Sequence, residues 1–480
     1  MMIRSLVLAL CALAVVSVAG CKKNNSEYCD ATTPCSDGRV CDTLARKCSS
    51  SPVHGSGGDM GGVAFSCSQC TGATPLCTPA RTSCAACTTS STPDATCAML
   101  TPSTPLCLAS GSGAGACVAC VGNTDCTSNP AATICDPTAH DCRGCIADNE
   151  CPSGVCDLVE SSVTHGRCVD PSQVVYVDGS TTMPGNGLTA MTPLAAILDG
   201  IDTAASVPRT YVHIAPGTYS EVLSVVGRSA FLVADPGTVI IKPSGSNNGF
   251  DVAGNSTLSM RGLVVSAPAM GISCQGAGAT SIVNAYWTQF LSNGNNGISS
   301  NGCTLTLDGC WINGNVGAGV QVAGSFTIIN TIISHNAEGG FSQSSTGAIM
   351  TFANNTVADN ESGIYAGMSC VGSFPIINSI VYNNKAAAGN ISDFDSSCAN
   401  FINLATDDPS AGDVATVDLR NQAPGFVGTA PLTAESYELA AGSVCLDQGT
   451  GSGAPDHDYL GLPRPDARTK KWDLGAFERQ

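Results

Sequence analysis

His335 and Asp359 lie 24 residues apart in a half of the chain that repeats at about that distance. A repeat of that length stacks the two at one corner, with Glu338 and Glu361 on the same turns. An imidazole beside carboxylates can take up and return a proton, or hold a divalent cation. Polar residues also gather at solvent-facing turns with no chemistry, and that bland reading stays open. A second acidic group, Ser392-Asp393-Phe394-Asp395, could offer Asp393 and Asp395 to Ca2+, although a short acidic loop is as readily a plain turn. No other cofactor is implied. Arg261 and Lys385 are the only Lys or Arg residues between 250 and 400. Arg261 is expected to be solvated or structural.

The elements that must carry these side chains follow from the repeat. Asn293, Asn315, Asn336 and Asn360 each precede a Gly followed by an aliphatic or aromatic residue, at Gly297-Ile298, Gly319-Val320, Gly340-Phe341 and Gly363-Ile364, and Asn384 begins a weaker copy. A second register passes through Arg261, Asn284, Asp308, Asn330, Asn355 and Asn378. A period near 23 residues, made of three short β-runs and their turns, predicts an all-β fold: a right-handed parallel β-helix, its handedness following from the general preference of parallel connections. Stacked coils about 4.8 Å apart would line up equivalent Asn side chains, which can bond to the copies above and below. The Gly column is expected to serve a corner that needs positive φ. A Leu-x-x-Leu-x-Leu pattern is missing, which excludes a leucine-rich repeat, and the Gly and β-branched content excludes helical repeats.

Two stretches then carry a resemblance. Val175-Tyr176-Val177-Asp178-Gly179, Thr192-Pro193-Leu194 and the run through Ala205, followed by Val212-His213-Ile214-Ala215-Pro216-Gly217-Thr218-Tyr219, resemble the N-terminal cap and first coil of pectate-lyase-like β-helices. Asp456-His457-Asp458-Tyr459-Leu460-Gly461-Leu462-Pro463-Arg464-Pro465 and Asp473-Leu474-Gly475-Ala476-Phe477-Glu478 are similar to the tail of secreted β-helix proteins. The resemblance covers most of 174–480 and implies the fold. It also implies an activity class, cleavage of acidic polysaccharide. Lyases of that kind need a basic residue and a cation to neutralise the uronate, and glycosidases need two carboxylates at fixed separation. None of the family's multi-residue catalytic signatures is intact here. With 20 basic against 38 acidic residues and a net charge of −18, the chain would also repel such a substrate.

The 28 cysteines divide unevenly. Twenty fall into groups of four: Cys29, Cys35, Cys41 and Cys48; then Cys67, Cys70, Cys77 and Cys84; Cys87, Cys97, Cys107 and Cys117; Cys120, Cys126, Cys135 and Cys142; Cys145, Cys151, Cys156 and Cys168. The residues between them are small and polar, so such units cannot bury enough surface to hold themselves together. Even counts in an exported chain read as disulfides rather than zinc or redox sites. Four cysteines permit three connectivities, and spacing does not choose among them. Further on, Cys370 and Cys398 sit one coil apart and could bridge. Cys274 and Cys303 could do likewise, while Cys310 is expected to be buried.

Ser17-Val18-Ala19-Gly20-Cys21, closing an apolar run from Leu6 with Arg4 before it, resembles a bacterial lipobox. The resemblance implies export and acylation of Cys21, and Lys22-Lys23 imply sorting to the outer membrane. The chain then divides into a signal peptide (1–20), a tether with the first Cys-rich module and a Gly/Ser linker (21–66), tandem Cys-rich modules (67–170) and the β-helix with its cap and tail (172–480). The modules resemble short Cys-rich repeats of bacterial surface lipoproteins. The expected protein is a lipid-anchored monomer of the outer membrane or cell surface that binds a polysaccharide or a surface protein without turning it over. The acidic balance argues against nucleic acid. The rival reading is a polysaccharide lyase or glycoside hydrolase working at His335 and Asp359, and a third is a purely structural envelope component.

Overall fold

The computed structural model describes residues 40–42, 47–49, 70–77 and 83–480, apart from short stretches at 208, 235–237, 277–279, 362–366, 372–373, 387, 396, 399, 411–414 and 429–432. Cys21, Cys29, Cys35, Cys67 and Gly363-Ile364 lie outside the described residues. The chain forms two compact units, Met1–Ala86 and Cys87–Gln480.

The Cys-rich modules share one plan. The third and fourth cysteines of each group face each other across an antiparallel hairpin: Cys41 opposite Cys48, Cys77 opposite Cys84, Cys107 opposite Cys117 and Cys135 opposite Cys142, with Cys156 opposite Cys168 as a single bridge. In the three modules of the second unit, the first cysteine bonds the third and the second bonds the fourth. These pairs are Cys87–Cys107 and Cys97–Cys117, Cys120–Cys135 and Cys126–Cys142, and Cys145–Cys156 and Cys151–Cys168. Cys70–Cys84 in the first unit is the same second-to-fourth link. A polar side chain early in each of these three modules accepts a hydrogen bond from the third cysteine's N–H. It is Asp94 for Cys107 (2.8 Å), Asn123 for Cys135 (2.9 Å) and Asp148 for Cys156 (2.8 Å). Bridges that hold so little apolar surface belong to an oxidising compartment, which makes this an extracellular or secreted type of chain. Among the described residues no helix is long and apolar enough to cross a membrane.

From Val174 onward the chain is a parallel β-solenoid of about 8 turns, its coils about 24 residues apart. Each coil contributes three short strands. Strands such as Thr257–Arg261, Ile282–Tyr286 and Thr304–Asp308 build the first face. Leu263–Val265, Gln289–Leu291 and Trp311–Asn313 build the second, and Ile272–Gln275, Ile298–Asn301 and Val320–Ala323 the third. Alternate residues point inward, so Leu258, Met260, Val283, Ala285, Leu305 and Leu307 are fully buried. Farther along, Phe326, Phe341, Phe352 and Phe374 pack edge to face or tilted with centroids 5.1–6.5 Å apart. Each such side chain contributes about 2 kcal/mol by leaving water. Cys274–Cys303 and Cys370–Cys398 tie neighbouring coils together, while Cys310 and Cys445 are buried free thiols.

The Asn repeat is a buried ladder. The side-chain amide of Asn293 donates to Asn315 Oδ1 (2.7 Å), Asn315 to Asn336 (2.7 Å), Asn336 to Asn360 (2.9 Å), Asn360 to Asn384 (2.8 Å), and Asn384 to Asp393 Oδ1 (2.7 Å). Each amide also reaches a strand carbonyl of an adjacent coil, for example Asn336 to Ile312 O at 3.1 Å. The glycines that follow serve this ladder rather than a positive-φ corner. A Cβ on Gly297 would lie 2.9 Å from Asn315 Nδ2 and 2.7 Å from Gly319 O, and one on Gly319 would lie 2.7 Å from both Asn336 Nδ2 and Gly340 O. Their φ values are not positive; the amide and the next coil's carbonyl occupy the space a side chain would need.

The second register dissolves into several columns. Arg261 stacks under Tyr286 and Asp308, Asn284 lies between Ser259 and Thr306, and Asn330 belongs with Asn354 and Asn378. Coil length is uneven: Tyr211 pairs with Phe231, 20 residues on, and Phe231 with Ser259, 28 on. A fixed step therefore drifts between neighbouring columns.

The first coil and the second face of the solenoid are both covered. The helix Ile197–Ser206 buries Ile197, Ile201 and Ala204 with Val175, Val177 and Val212 of the first strands. The Glu221 carboxylate accepts from the N–H groups of Ile197 (2.6 Å) and Leu198 (2.9 Å), completing the helix N-terminus. Residues 434–480 fold back along the second face. Tyr437, Tyr459, Ala476 and Phe477 cover Trp311, Ile332 and Ala358, which explains why Ile332–Ser334 and Thr356–Ala358 are buried on both sides.

Candidate functional site

The corner between the second and third faces brings His335 and Asp359 together. Ser334 pairs with Ala358, so the next residues are equivalent, and both adopt left-handed backbone, φ +53° and +58°. The tail adds a partner from far along the chain. Tyr437 Oη lies 3.1 Å from Asp359 Oδ2 and 3.3 Å from His335 Nδ1. Asn383 Nδ2 donates to the other oxygen of Asp359 at 2.5 Å. Burial, reinforced by the Asp359 carboxylate, holds the Tyr437 phenol well above its ordinary pKa, so it remains a hydrogen-bond donor near neutral pH. Glu338 and Glu361 are exposed on the following turns; Glu361 pairs through its backbone with Lys385 in the next coil. Among the described residues neither carboxylate bonds to His335 or Asp359. The arrangement fastens the tail to the corner, with His335 still open to solvent.

Asp393 and Asp395 face different tasks. Asp393 is fully buried at the end of the Asn ladder, accepting from Asn384 and from Thr406 Oγ1 (2.5 Å). Burial, with Asp407 beside it, raises its carboxyl well above the usual range. Asp395 accepts from Ser369 Oγ, from the N–H groups of Cys370, Ser397 and Cys398, and so braces the Cys370–Cys398 turn. Every oxygen of both carboxylates accepts at least one hydrogen bond from the chain itself. The sulfur clusters of the modules are likewise consumed as disulfides.

Arg261 is structural. Its guanidinium is buried, 2.5 Å from Asp148 and 2.9 Å from Cys156 O, and so fixes the last Cys-rich module to the first face. Val155 of that module packs with Val174, Tyr176 and Val233 of the solenoid. Arg143 joins this module to the previous one, contacting Asp136 at 3.1 Å and Glu150 at 2.6 Å.

Two further surfaces emerge only in three dimensions. A cavity of about 410 Å3 lies between the last Cys-rich module, the corner joining the first and second faces, and the returning tail. Trp287, Ile146, Leu158 and Leu460 line it, with the Glu160–His165 pair (3.1 Å) on the module side. No short motif announces it, because its walls come from three separate parts of the chain; the one usable signal is a Trp at a corner where other coils carry Gly or Asn.

The second surface is the outer side of the third face. In register it presents Ser224, Asp251, Ser273, Ser299, Gln321, Ser342 and Ser369, one per coil. The neighbouring column holds Gln275, Asn301 and Ala323, and Asn301 Nδ2 reaches Gln275 at 3.4 Å. Asp251 is the single charged side chain in the ladder.

Beside the cavity, His457 of the tail is buried between Asp308 (2.9 Å) and Asp456 (2.9 Å). Burial alone would lower its pKa, but the two carboxylates, with a further contribution from Glu160, outweigh it and raise the imidazole to about 9. A group raised from about 6.5 to that value stabilises the fold fully below pH 6.5 and loses the contribution as pH climbs through 9. At ~1.4 kcal/mol per pH unit the effect is at most about 3.5 kcal/mol. Melting temperature is expected to fall between pH 7 and 10 in the natural protein, and His457→Gln should show a shallower fall over that interval. Parallel profiles for the two would rule out a charged His457 as a latch.

No family profile and no curated protein matches this chain. Among solved structures it is similar to the A-module of the mannuronan C-5 epimerase AlgE4 from Azotobacter vinelandii, at 12% identity over 48% of this chain and 86% of that one, with a TM-score of 0.30. A likeness of that degree says nothing about the chemistry of this chain.

Proposed function

We propose that this chain is an exported binding protein that lays an extended, uncharged glycan along its third face and does not turn it over. The observation that carries the reading is the ladder from Ser224 to Ser369: seven strands, one short hydroxyl, amide or carboxyl group per coil, and a single charge. Parallel strands repeat every 4.8 Å or so, about the advance of one sugar in an extended chain. Most of these coils can then offer a hydrogen bond to successive sugar units, Ser299 being buried and Ser369 Oγ committed to Asp395. Affinity would accumulate along the face as many weak contacts on one rigid support. The acidic net charge disfavours a polyuronate. Acylation at Cys21 would tether the protein to the outer membrane or cell surface as a monomer, with the Cys-rich modules between lipid and solenoid.

Retention on insoluble cellulose, chitin, xylan and calcium pectate tests this directly, alongside assays for new reducing ends and unsaturated uronate. Binding without turnover is expected, with Gln321→Arg and Ser342→Arg each weakening retention. Retention unchanged in both variants, or retention on pectate alone, refutes the reading. The contact among His335, Asp359 and Tyr437 supports a second reading, a polysaccharide lyase or glycoside hydrolase. Turnover that disappears in both His335→Ala and Asp359→Ala would establish that reading in place of the first.

A further inference from the structure

The corner between the first and second faces is a column of left-handed residues: Gly262, Trp287, Gly309, Asn330, Asn354, Asn378 and Asn403, with φ from +42° to +80°. Gly and Asn are the residues that adopt this conformation at low cost, whereas a Trp there is strained. Backbone strain that the surrounding structure sustains is a mark of functional positions. Trp287 is also held in a fixed orientation. Its indole N–H donates to Tyr459 O (2.9 Å), and His457 lies with its ring centroid 6.4 Å away. Gly309 makes room for it, since a Cβ there would come within 2.9 Å of the indole. The tail, the neighbouring coil and the strained corner together hold this ring at the wall of the 410 Å3 cavity.

We infer that this cavity is a second carbohydrate site, taking one or two rings of a neutral sugar, with Trp287 as the stacking platform and Glu160 and His165 as hydrogen-bonding partners. The site is separate from the third face and does not depend on it. A sugar presents an apolar ring face edged by hydroxyls, which matches an indole and aliphatic lining (Ile146, Leu460) with a few polar groups at one side. The charges nearby select against anions. The cations nearby are already paired, Arg261 with Asp148 and His457 with Asp308 and Asp456, and together with Glu160 the carboxylates outnumber them. Phosphates and uronates are therefore disfavoured. The volume is within the range of small-molecule sites and too small for a folded partner.

The test uses the whole protein, with glucose, galactose and N-acetylglucosamine as neutral probes, glucuronate as the anion and tetramethylammonium as a cation able to sit on an indole. Calorimetric titration should give millimolar binding of at least one neutral sugar, little with glucuronate and weaker binding of tetramethylammonium. Trp287→Asn places at this corner the residue that four later coils carry. It should leave the melting temperature unchanged or higher and reduce sugar affinity at least tenfold. Leu460→Arg, at the exposed tip of the tail, should obstruct the mouth with the same loss. Absence of binding by all three sugars overturns the inference. So does undiminished affinity in both variants, or tighter binding of glucuronate or tetramethylammonium. Gln321→Arg should leave soluble-sugar binding intact, so failure here and failure of the third-face reading are told apart.

Discussion

Asn336→Ala is expected to lower the unfolding free energy by about 4 kcal/mol, a loss at the upper tail for single substitutions. The Asn336 side chain makes four hydrogen bonds with no exposure to water. It accepts from the Asn315 amide (2.7 Å) and N–H (3.2 Å), and it donates to Asn360 Oδ1 (2.9 Å) and Ile312 O (3.1 Å). Truncation strands two donors and an acceptor on the preceding coil and an acceptor on the following one, each costing about 1–3 kcal/mol where water cannot replace the partner. A small cavity between coils adds to this. Asn301→Ala, at an exposed position on the third face, is the contrast and should stay within about 0.5 kcal/mol. Urea unfolding of both variants measures the difference. Equal midpoints would mean that the ladder contributes nothing net and that the repeat reflects turn geometry alone.

The second large effect is expected at Arg464. Its guanidinium is fully buried in the tail, 2.7 Å from Glu478 Oε2, and it also donates to His457 O (3.0 Å) and Gly475 O (3.0 Å). Glu478 accepts in turn from the N–H groups of Asp466 and Asp473. Burial pulls the guanidinium pKa down and pushes the Glu478 carboxyl up, so each ion depends on the other to remain charged. Removing one partner of a buried pair costs about 3–5 kcal/mol, chiefly because the other charge is abandoned. Arg464→Leu should therefore loosen 456–480 and admit protease there. Arg464→Leu combined with Glu478→Gln should recover part of the loss, since the abandoned charge is gone. A double variant no more stable than the single one would place the cost in lost packing.

The contrast between these two sites shows what a sequence of this kind discloses. Asn293 through Asn384 could be read in advance because a buried amide must find an amide in the next coil, which forces the same residue to recur. Cys274 and Cys370 revealed candidate partners for the same reason, being one coil from Cys303 and Cys398. His335 and Asp359 were placed by equivalence of their corner, yet Tyr437 was out of reach because it arrives from a segment 78 residues past Asp359. Arg261 could be seen as one of two basic residues in its region, but its partner Asp148 lies 113 residues earlier in a disulfide module. Trp287 was hidden because the repeat disguises its corner: Gly on either side, Asn thereafter. The pairing of each four-cysteine group was closed to spacing arguments; the hairpin decides it by placing the third and fourth cysteines side by side, where each turns to a different earlier partner.

The returning tail alters how the solenoid can come apart. A stack in which each coil touches only its neighbours frays from its end, one coil at a time. Here one strip of chain is bonded lengthwise to many coils: Thr450 and Gly475 to Asn378, Asp473 to Asn354, Ala476 to Thr356, Tyr437 to Asp359, His457 to Asp308 and Tyr459 to Trp287. It acts as a splint. No coil between Trp287 and Asn378 can peel away while the strip holds, and once it lifts they lose support together. The second half of this solenoid therefore behaves as a single cooperative block, with a resistance to lengthwise pulling that its nearest-neighbour contacts alone would not give.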